Sequence, residues 1–282
     1  MTYYRIFAVY LLLSIISQLP STAQSNEYPW LADSPPENRL CVRIAAPPGY
    51  HRIKTEAGSF GNWLQNLPLK KGQPPVYLFN DELKTNQSAQ AAVIEIDVGK
   101  NDLQQCADAV IRLRAEYLFS KKRFQDIHFN FTSGFNAEYK KWIQGYRPEV
   151  KGNSVRWKKQ AAGDSSYGSF KRYLRTVFMY AGSYSLSREL EPVHDIHKMK
   201  IGDIFIQGGF PGHAVIVVDM AVNPDTGENL FMLAQSYMPA QDIHILKNPA
   251  QPDLSPWYPV DFGDVLITPE WTFRREDLKC LK

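Results

Sequence analysis

The chain has 282 residues, of which 44% are hydrophobic and 22% are charged, and its 19 prolines and 17 glycines are scattered. This composition is that of a globular protein, and it excludes a disordered or fibrous chain. The formal net charge of +3 is too small for the concentrated basic surface that nucleic-acid binding normally requires, so no nucleic acid is expected as a partner.

The first residues have the pattern of a signal peptide. Arg5 is followed by an apolar run over residues 6–16, and Ser21-Thr22-Ala23 offers small residues for cleavage. We therefore predict a signal peptide over residues 1–23 and export to the periplasm or the cell exterior. A retained anchor helix is the alternative, although the run is short for a membrane span. No membrane span is predicted after removal of the signal.

Export would place the three cysteines in an oxidising compartment, where thiols normally pair. Cys41 and Cys280 lie near the two ends of the mature chain, and the termini of a domain are often close in space. We therefore predict a disulfide between them. Cys106 is then the odd thiol.

Residues 24–38 are rich in Pro, Ser and acidic side chains and are predicted to form an extended arm. Residues 39–282 are predicted to form a single α+β domain. Its first part contains one short helix, which Ser59 caps and Pro68 ends. Four strands are predicted around this helix, over residues 40–46, 50–53, 76–79 and 91–98.

The clearest helix is predicted over residues 102–119. Asp102 and Gln105 have the spacing of a capping box, and apolar residues recur on one face with the helical period. A short strand over 127–131 follows. Two further helices are predicted over residues 136–144 and 170–181.

From residue 200 onward the pattern changes to strands. They are predicted over residues 201–207, 214–220 and 230–235, with a hairpin turn at 223–227 and an added edge strand from 265–267 and 271–273. Helices followed by an antiparallel sheet indicate an α+β fold.

Two residues have positions suited to nucleophilic catalysis. Cys106 is predicted in the first turn of its helix, where free N–H groups and the helix dipole stabilise a thiolate. His213 follows a glycine-rich loop over 208–212 and opens a strand, so its imidazole can face a helix N-terminus. A cysteine nucleophile needs such a base, which accepts the thiol proton and returns it to the leaving amine. Alternatively, Cys106 is an ordinary core residue on the apolar face of its helix.

A third residue is expected to orient the imidazole. A regular hairpin ladder places Ser236 opposite Val215, whereas one β-bulge or a three-residue loop moves Gln235 to the face of His213. We favour Gln235, because an amide oxygen accepts from the imidazole N–H and holds its tautomer better than a rotating hydroxyl. Ser236 stays open as the alternative. Asp219 is expected on the same face as His213 but too far along the strand.

Three segments resemble the papain-like cell-wall amidases and endopeptidases of bacteria, of the NlpC and CHAP types. They are Cys106-Ala107-Asp108-Ala109, Lys200-Ile201-Gly202-Asp203-Ile204-Phe205 and Gly212-His213-Ala214-Val215-Ile216-Val217. The resemblance implies a papain-like core, in which the Cys106 helix packs on a small antiparallel sheet behind a strand-rich N-terminal extension. It also implies Cys106 as nucleophile, His213 as base and Gln235 as the third residue, with no cofactor.

Most of the mature chain also resembles an uncharacterised family of exported proteins known only as a domain of unknown function. The resemblance lies in Trp63-Leu64, Leu67-Pro68-Leu69, the helix from Cys106 to Tyr117 and Ala234-Gln235-Ser236-Tyr237-Met238-Pro239-Ala240-Gln241. This resemblance implies no activity.

Two other groups of residues have the composition of ligand sites. Trp257 and Tyr258 lie between prolines and are predicted to form a stacking rim for a sugar or peptide. His194 and His197 could present two metal ligands on one helical face, but no third ligand is spaced to join them, so no metal is expected.

These observations predict that the protein is an exported thiol hydrolase that acts on amide bonds, such as those of cell-wall peptides. Its expected partner is a peptide or glycan of the cell envelope. The alternatives are a catalytically inactive papain-like protein that binds glycans or peptides, and a structural component of the envelope.

Overall fold

The computed structural model describes residues 27–32 and 34–282. The predicted signal peptide and the first residues of the predicted arm lie outside the described residues. The described part of the arm packs on the rest of the chain. Tyr28 is buried with its ring centroid 5.3 Å from that of Trp63, and Trp30 Nε1 donates to Glu95 O at 2.6 Å. Buried aromatic rings therefore fix this part of the arm.

The described chain contains six α-helices. They are α1 (Leu40–Arg43), α2 (Phe60–Gln65), α3 (Cys106–Ser120), α4 (Tyr139–Ile143), α5 (Tyr167–Tyr180) and α6 (Ser183–Glu189). Ser59 caps α2 by accepting from Asn62 N, as predicted. The strand predicted over 40–46 is wrong, because Leu40 alone is fully buried there and the alternation that a strand requires is absent. None of the helices among the described residues could cross a membrane by length and apolar character.

Fifteen β-strands lie in the described chain. They are β1 (His51–Arg52), β2 (Gln90–Val93), β3 (His128–Asn130), β4 (Asn136–Glu138), β5 (Tyr146–Lys151), β6 (Ser154–Lys159), β7 (Glu191–Pro192), β8 (Ile204–Gln207), β9 (His213–Val222), β10 (Asn229–Gln235), β11 (His244–Leu246), β12 (Tyr258–Pro259), β13 (Val265–Ile267), β14 (Thr272–Arg274) and β15 (Leu278–Cys280).

Nine strands form one antiparallel sheet. Its order is β2-β11-β10-β9-β8-β15-β7, with β1 beside β9 and β12 beside β10. The pairs β3–β4, β5–β6 and β13–β14 form separate two-stranded sheets, so the predicted C-terminal edge strand is instead a hairpin of its own. This mixture of helices and antiparallel sheets agrees with the predicted α+β class, and nothing in it identifies a papain-like core.

Both faces of the large sheet are covered. On one face, α3 residues such as Leu113 join a hydrophobic cluster with Ala214 and Ile216 of β9. On the other face, Phe273 of β14 joins a second cluster with Val215 of β9. Because both faces are covered, β9 is buried almost throughout and its sequence is apolar apart from His213 and Asp219.

The ladder between β9 and β10 contains a β-bulge, one of the two irregularities that would bring Gln235 to the face of His213. Met232 pairs with Asp219, but the next residue, Leu233, pairs with Val217, which leaves Val218 as an extra residue in β9. The shift in register places the next odd-numbered residue of β10, Gln235, on the sheet face to which His213 belongs.

The bulge also reverses the face of Asp219. We expected Asp219 on the same face as His213, but the extra residue in β9 turns it to the opposite face. There it accepts from Gln65 Nε2 at 2.8 Å and from Arg52 Nε at 2.6 Å. The bulge thus places the carboxylate of Asp219 on the face of the sheet opposite to that of His213.

Candidate active site

Cys106 is the first residue of α3. Gln105 is the N-cap residue of the helix, and its N donates to Asp108 Oδ2 at 3.2 Å. The predicted capping box of Asp102 and Gln105 is wrong by one turn, because α3 begins at Cys106 and the backbone N of Gln105 donates to Asp108. Asp102 Oδ1 accepts from Gln105 Nε2 at 3.0 Å and from Ala240 N at 2.7 Å. Cys106 therefore lies in the first turn of α3, where N–H groups lack intrahelical acceptors.

The thiol of Cys106 lies against the backbone on both sides of His213. It donates to Gly212 O at 4.0 Å, and Sγ accepts from Ala214 N. Within the described part of the chain, no hydrogen bond joins Sγ to the imidazole. The structure thus brings the sulfur to the start of β9, where the thiol donates to the backbone oxygen of Gly212.

The imidazole of His213 has a fixed tautomer. Its Nε2 lies 2.9 Å from Gln235 Oε1, and an amide oxygen can only accept, so Nε2 carries the proton. The orientation of the Gln235 amide is set by its nitrogen, because Gln235 Nε2 donates to the carboxylate of Glu270 at 2.7 Å. Nδ1 is then the acceptor nitrogen of the neutral ring. The ring is 1% exposed and lies 4.7 Å from the ring of Tyr237 and 5.3 Å from that of Trp271.

Gln235, and not Ser236, contacts the imidazole. Ser236 Oγ lies 2.9 Å from both Gln104 O and Gln241 O. Its hydroxyl therefore hydrogen-bonds to backbone oxygens and not to the imidazole. Sequence reasoning missed the residues that support Gln235.

The supporting residues are Glu270, which accepts from Gln235, and Lys84, whose Nζ lies 2.6 Å from Glu270 Oε2. They come from two segments far apart in the chain, and no local motif marks either one. The orientation of the imidazole therefore depends on a chain of polar contacts that starts at Lys84.

Burial keeps both the thiol and the imidazole neutral at rest. It raises the pKa of Cys106 to about 11, and the hydrogen bond from Ala214 N offsets only part of this effect. Burial also lowers the pKa of His213 to about 4, although the hydrogen bond to Gln235 acts in the opposite direction. Burial of Sγ therefore works against the expected thiolate, because the loss of water around Sγ outweighs the hydrogen bonds from backbone N–H groups that favour the charged form.

We expect the rate of Cys106 alkylation by iodoacetamide to rise about tenfold per pH unit through neutral pH, because only the thiolate reacts. The rate should level off only near pH 11, where the raised pKa of Cys106 lies. Mass spectrometry of the Cys106 peptide after timed alkylation measures this, with glutathione as an exposed-thiol control. A plateau below about pH 8 would contradict the neutral resting thiol.

A cleft of about 220 Å³ opens beside Cys106. Its lining comes from the start of α3, from Phe178 of α5, from residues 209–212 and from Met238, and does not include His213. A Cβ at Gly212 would lie 2.6 Å from Gln207 O, so only glycine fits at the end of this loop. Phe210 is 86% exposed and stacks on Tyr184, which gives the loop an exposed aromatic side chain beside the cleft.

Trp257 and Tyr258 do not form a stacking rim, so this prediction is wrong. Each is 1% exposed. Trp257 Nε1 donates to Ala45 O at 3.0 Å, and Tyr258 OH donates to Lys247 O. Their polar atoms are satisfied inside the protein, and their rings are part of the core.

The predicted disulfide between Cys41 and Cys280 is not formed. All three cysteines are free thiols in the structure. Cys41 Sγ donates to Asn66 Oδ1 beside α2 at 3.5 Å, whereas Cys280 lies in β15 and pairs with Glu191 of β7. The two residues near the ends of the domain therefore have different neighbours.

Comparison with known proteins identifies one family. The family model described as a domain of unknown function, DUF4846, matches residues 40–280. No curated protein and no solved structure matches the chain. The comparisons therefore give no support to a resemblance with NlpC-type or CHAP-type enzymes. Because the family model covers most of the sequence, the chain belongs to the DUF4846 family.

Proposed function

We propose that this protein is an exported thiol hydrolase that cleaves amide bonds, with Cys106 as nucleophile, His213 as base and Gln235 as the residue that orients the base. One observation carries the proposal. Sγ of Cys106 lies against the backbone on both sides of His213, and Gln235 holds the ring in the tautomer that leaves Nδ1 as a proton acceptor. The resemblance of the Cys106 and His213 segments to papain-like cell-wall enzymes suggests cell-wall peptides as substrates.

The first step is attack of Sγ on the amide carbon, with transfer of the thiol proton to His213 Nδ1. Since burial disfavours both the thiolate and the imidazolium, attack and proton transfer occur together. The thiol must leave Gly212 O for this step, and hydrogen bonds of this kind often tighten only when substrate binds. The N–H groups of Cys106 and Ala107, in the first turn of α3, are the donors for the oxyanion.

The C–N bond then breaks, and the imidazolium of His213 returns its proton to the leaving amine. The acyl group remains on Sγ as a thioester. A water molecule attacks the thioester carbon while His213 accepts a proton from that water. The C–S bond breaks, Sγ regains the proton, and the carboxylic product leaves.

Accumulation of the thioester on Cys106 tests the proposal. The protein is mixed with muropeptides from bacterial peptidoglycan, quenched with acid and measured by intact-mass spectrometry. We expect a mass increase equal to the acyl part of the substrate, located on Cys106 by fragmentation, together with release of an amine. The His213→Ala variant should form no adduct because its thiol has no base. Unmodified wild-type protein with intact muropeptides would count against the hydrolase.

A second candidate function is binding of glycans or peptides without turnover. It is favoured by the hydrogen bond from the Cys106 thiol to Gly212 O and by the neutral state of both groups. A protein of this kind would bind muropeptides equally well as wild type and as the Cys106→Ala variant, and no thioester would form. Calorimetric titration of both proteins separates the two functions.

A further inference from the structure

A second cleft, of about 470 Å³, adjoins the cleft at Cys106 and has a different chemistry. Leu103 and Phe178 line both clefts, so the two share a wall. We call the second one the basic cleft, because five cationic side chains line it: Lys100, Arg112, Lys171, Arg172 and Arg175.

Two of these cations have no carboxylate partner. Lys100 and Arg175 are exposed, and neither takes part in an ion pair within the described part of the chain. Positive charges that face one cleft without partners repel each other. A bound anion removes this repulsion.

The other cations are paired with carboxylates. Asp97, which also lines the cleft, lies 2.7 Å from Lys171 Nζ and 3.3 Å from Arg112 Nη2. Arg172 pairs with Asp164 at 2.9 Å, and Arg112 also pairs with Glu116. Five cations therefore face three carboxylates, which leaves two positive charges uncompensated.

The two cations in contact with Asp97 favour its charged form. Burial by itself would raise the pKa of Asp97, but Arg112 and Lys171 together hold it below its ordinary value. The surroundings thus stabilise a negative charge at this place even after the cost of partial burial.

A buried amide supplies an unused hydrogen-bond donor. Gln104 lines the basic cleft and is 1% exposed. Its Oε1 accepts from Arg112 Nη1 at 2.9 Å, whereas its Nε2 has no partner among the described residues. A buried donor without a partner costs free energy, and a ligand oxygen that reached it would recover that cost.

We propose that the basic cleft binds an oxyanion, a carboxylate or a phosphate, and that this anion is carried by the molecule whose amide bond reaches Cys106. Val98, Leu174 and Phe178 give the cleft an apolar lining for the body of that molecule. The link to cleavage rests on the proposed function, whereas binding of the anion does not.

Three small probes test the anion site: hippurate, its uncharged amide hippuramide, and phenyl phosphate. The titrations use the Cys106→Ala variant, so that no turnover occurs, and follow the backbone amide signals of Gly99 and Gly168 at the cleft. We expect hippurate to shift both signals with saturation at millimolar concentration, and to bind at least about fivefold more tightly than hippuramide at low salt. Added salt should reduce this difference, because it screens exposed charges.

A double variant tests whether Lys100 and Arg175 cause the tighter binding of hippurate. Lys100→Gln with Arg175→Gln should weaken hippurate binding about fivefold and leave hippuramide unchanged. The matched control, Lys54→Gln with Lys151→Gln, removes the same net charge from exposed lysines outside the cleft and should change neither.

Tighter binding of phenyl phosphate than of hippurate would assign the site to phosphate, and the reverse order would assign it to carboxylate. Equal binding of hippurate and hippuramide would overturn the proposal. So would unchanged binding in the Lys100 and Arg175 variant, or unshifted signals at about 10 mM probe. Because the nucleophile is absent in these titrations, the result is independent of the thioester experiment.

Discussion

Cys106→Ala and His213→Ala are each expected to lower kcat/KM for muropeptide hydrolysis by at least about 10³-fold, because each removes a member of one catalytic unit. The double variant should be no slower than the slower single variant, since groups that act together are not additive. Rates of amine release by wild type and the three variants measure this, and urea unfolding checks that each variant is folded.

Cys280→Ala is the matched control for loss of a thiol. Cys280 lies in β15 and takes no part in the proposed chemistry. This variant should keep the wild-type rate. Wild-type hydrolysis by Cys106→Ala would place the nucleophile elsewhere and end the proposed mechanism.

Arg112→Met is expected to lower the free energy of unfolding by about 3–5 kcal/mol, because it leaves the buried carboxylate of Glu116 without its cation. Arg112 Nε lies 2.6 Å from Glu116 Oε1, with side-chain exposures of 4% and 0%. Glu116 Oε1 also accepts from Tyr167 OH at 2.8 Å. Adding Glu116→Gln should recover much of the loss, because the amide needs no counter-charge. Urea unfolding of the single and double variants provides the measurement.

The exposed pair Arg123–Asp126 is the control, with side-chain exposures of 49% and 36%. Arg123→Met should cost less than about 1 kcal/mol. A similarly small cost for Arg112→Met would show that the buried pair adds little.

The cost of Arg112→Met should also depend on pH. Burial already raises the pKa of Glu116 against the effect of Arg112, and the variant removes that opposing charge. The folded state then holds a proton that the unfolded state releases, so stability falls as the pH rises above the ordinary pKa of glutamate. The loss should therefore be smaller in acid than at neutral pH.

The strands of the C-terminal half were predictable because their burial is nearly complete. β8, β9 and β10 are apolar almost throughout, and a turn sequence separates the last two. The hairpin of β5 and β6 is hard to predict because its residues are exposed or only partly buried and few of them are apolar. Its local signals are short: Val155 and Trp157 alternate with polar residues in β6, and Gly152 has a φ of +58° between the two strands.

The sequence indicated which residues meet at the candidate site, but not their protonation. Cys106, His213 and Gln235 each lie at a predictable position in a helix or strand. The pKa of Cys106 instead depends on how much water the surrounding segments remove from Sγ, which is a property of the assembled fold. The burial of Trp257 and Tyr258 is likewise a property of the assembled fold, because no local sequence pattern distinguishes a buried ring from one on a stacking surface.

The β-bulge at Val218 places polar side chains of one strand, β9, on both faces of the large sheet. Its insertion reverses the alternation of β9 part of the way along, so His213 keeps its contact with Gln235 on one side while Asp219 meets Arg52 on the other. If Val218 were paired in a regular ladder without the bulge, side chains would alternate without interruption from His213 to Asp219, and these two residues would lie on the same face. Either the imidazole or the carboxylate would then turn away from its partner, so the bulge at one apolar residue ties the geometry of the thiol site to an ion pair at the opposite end of the strand.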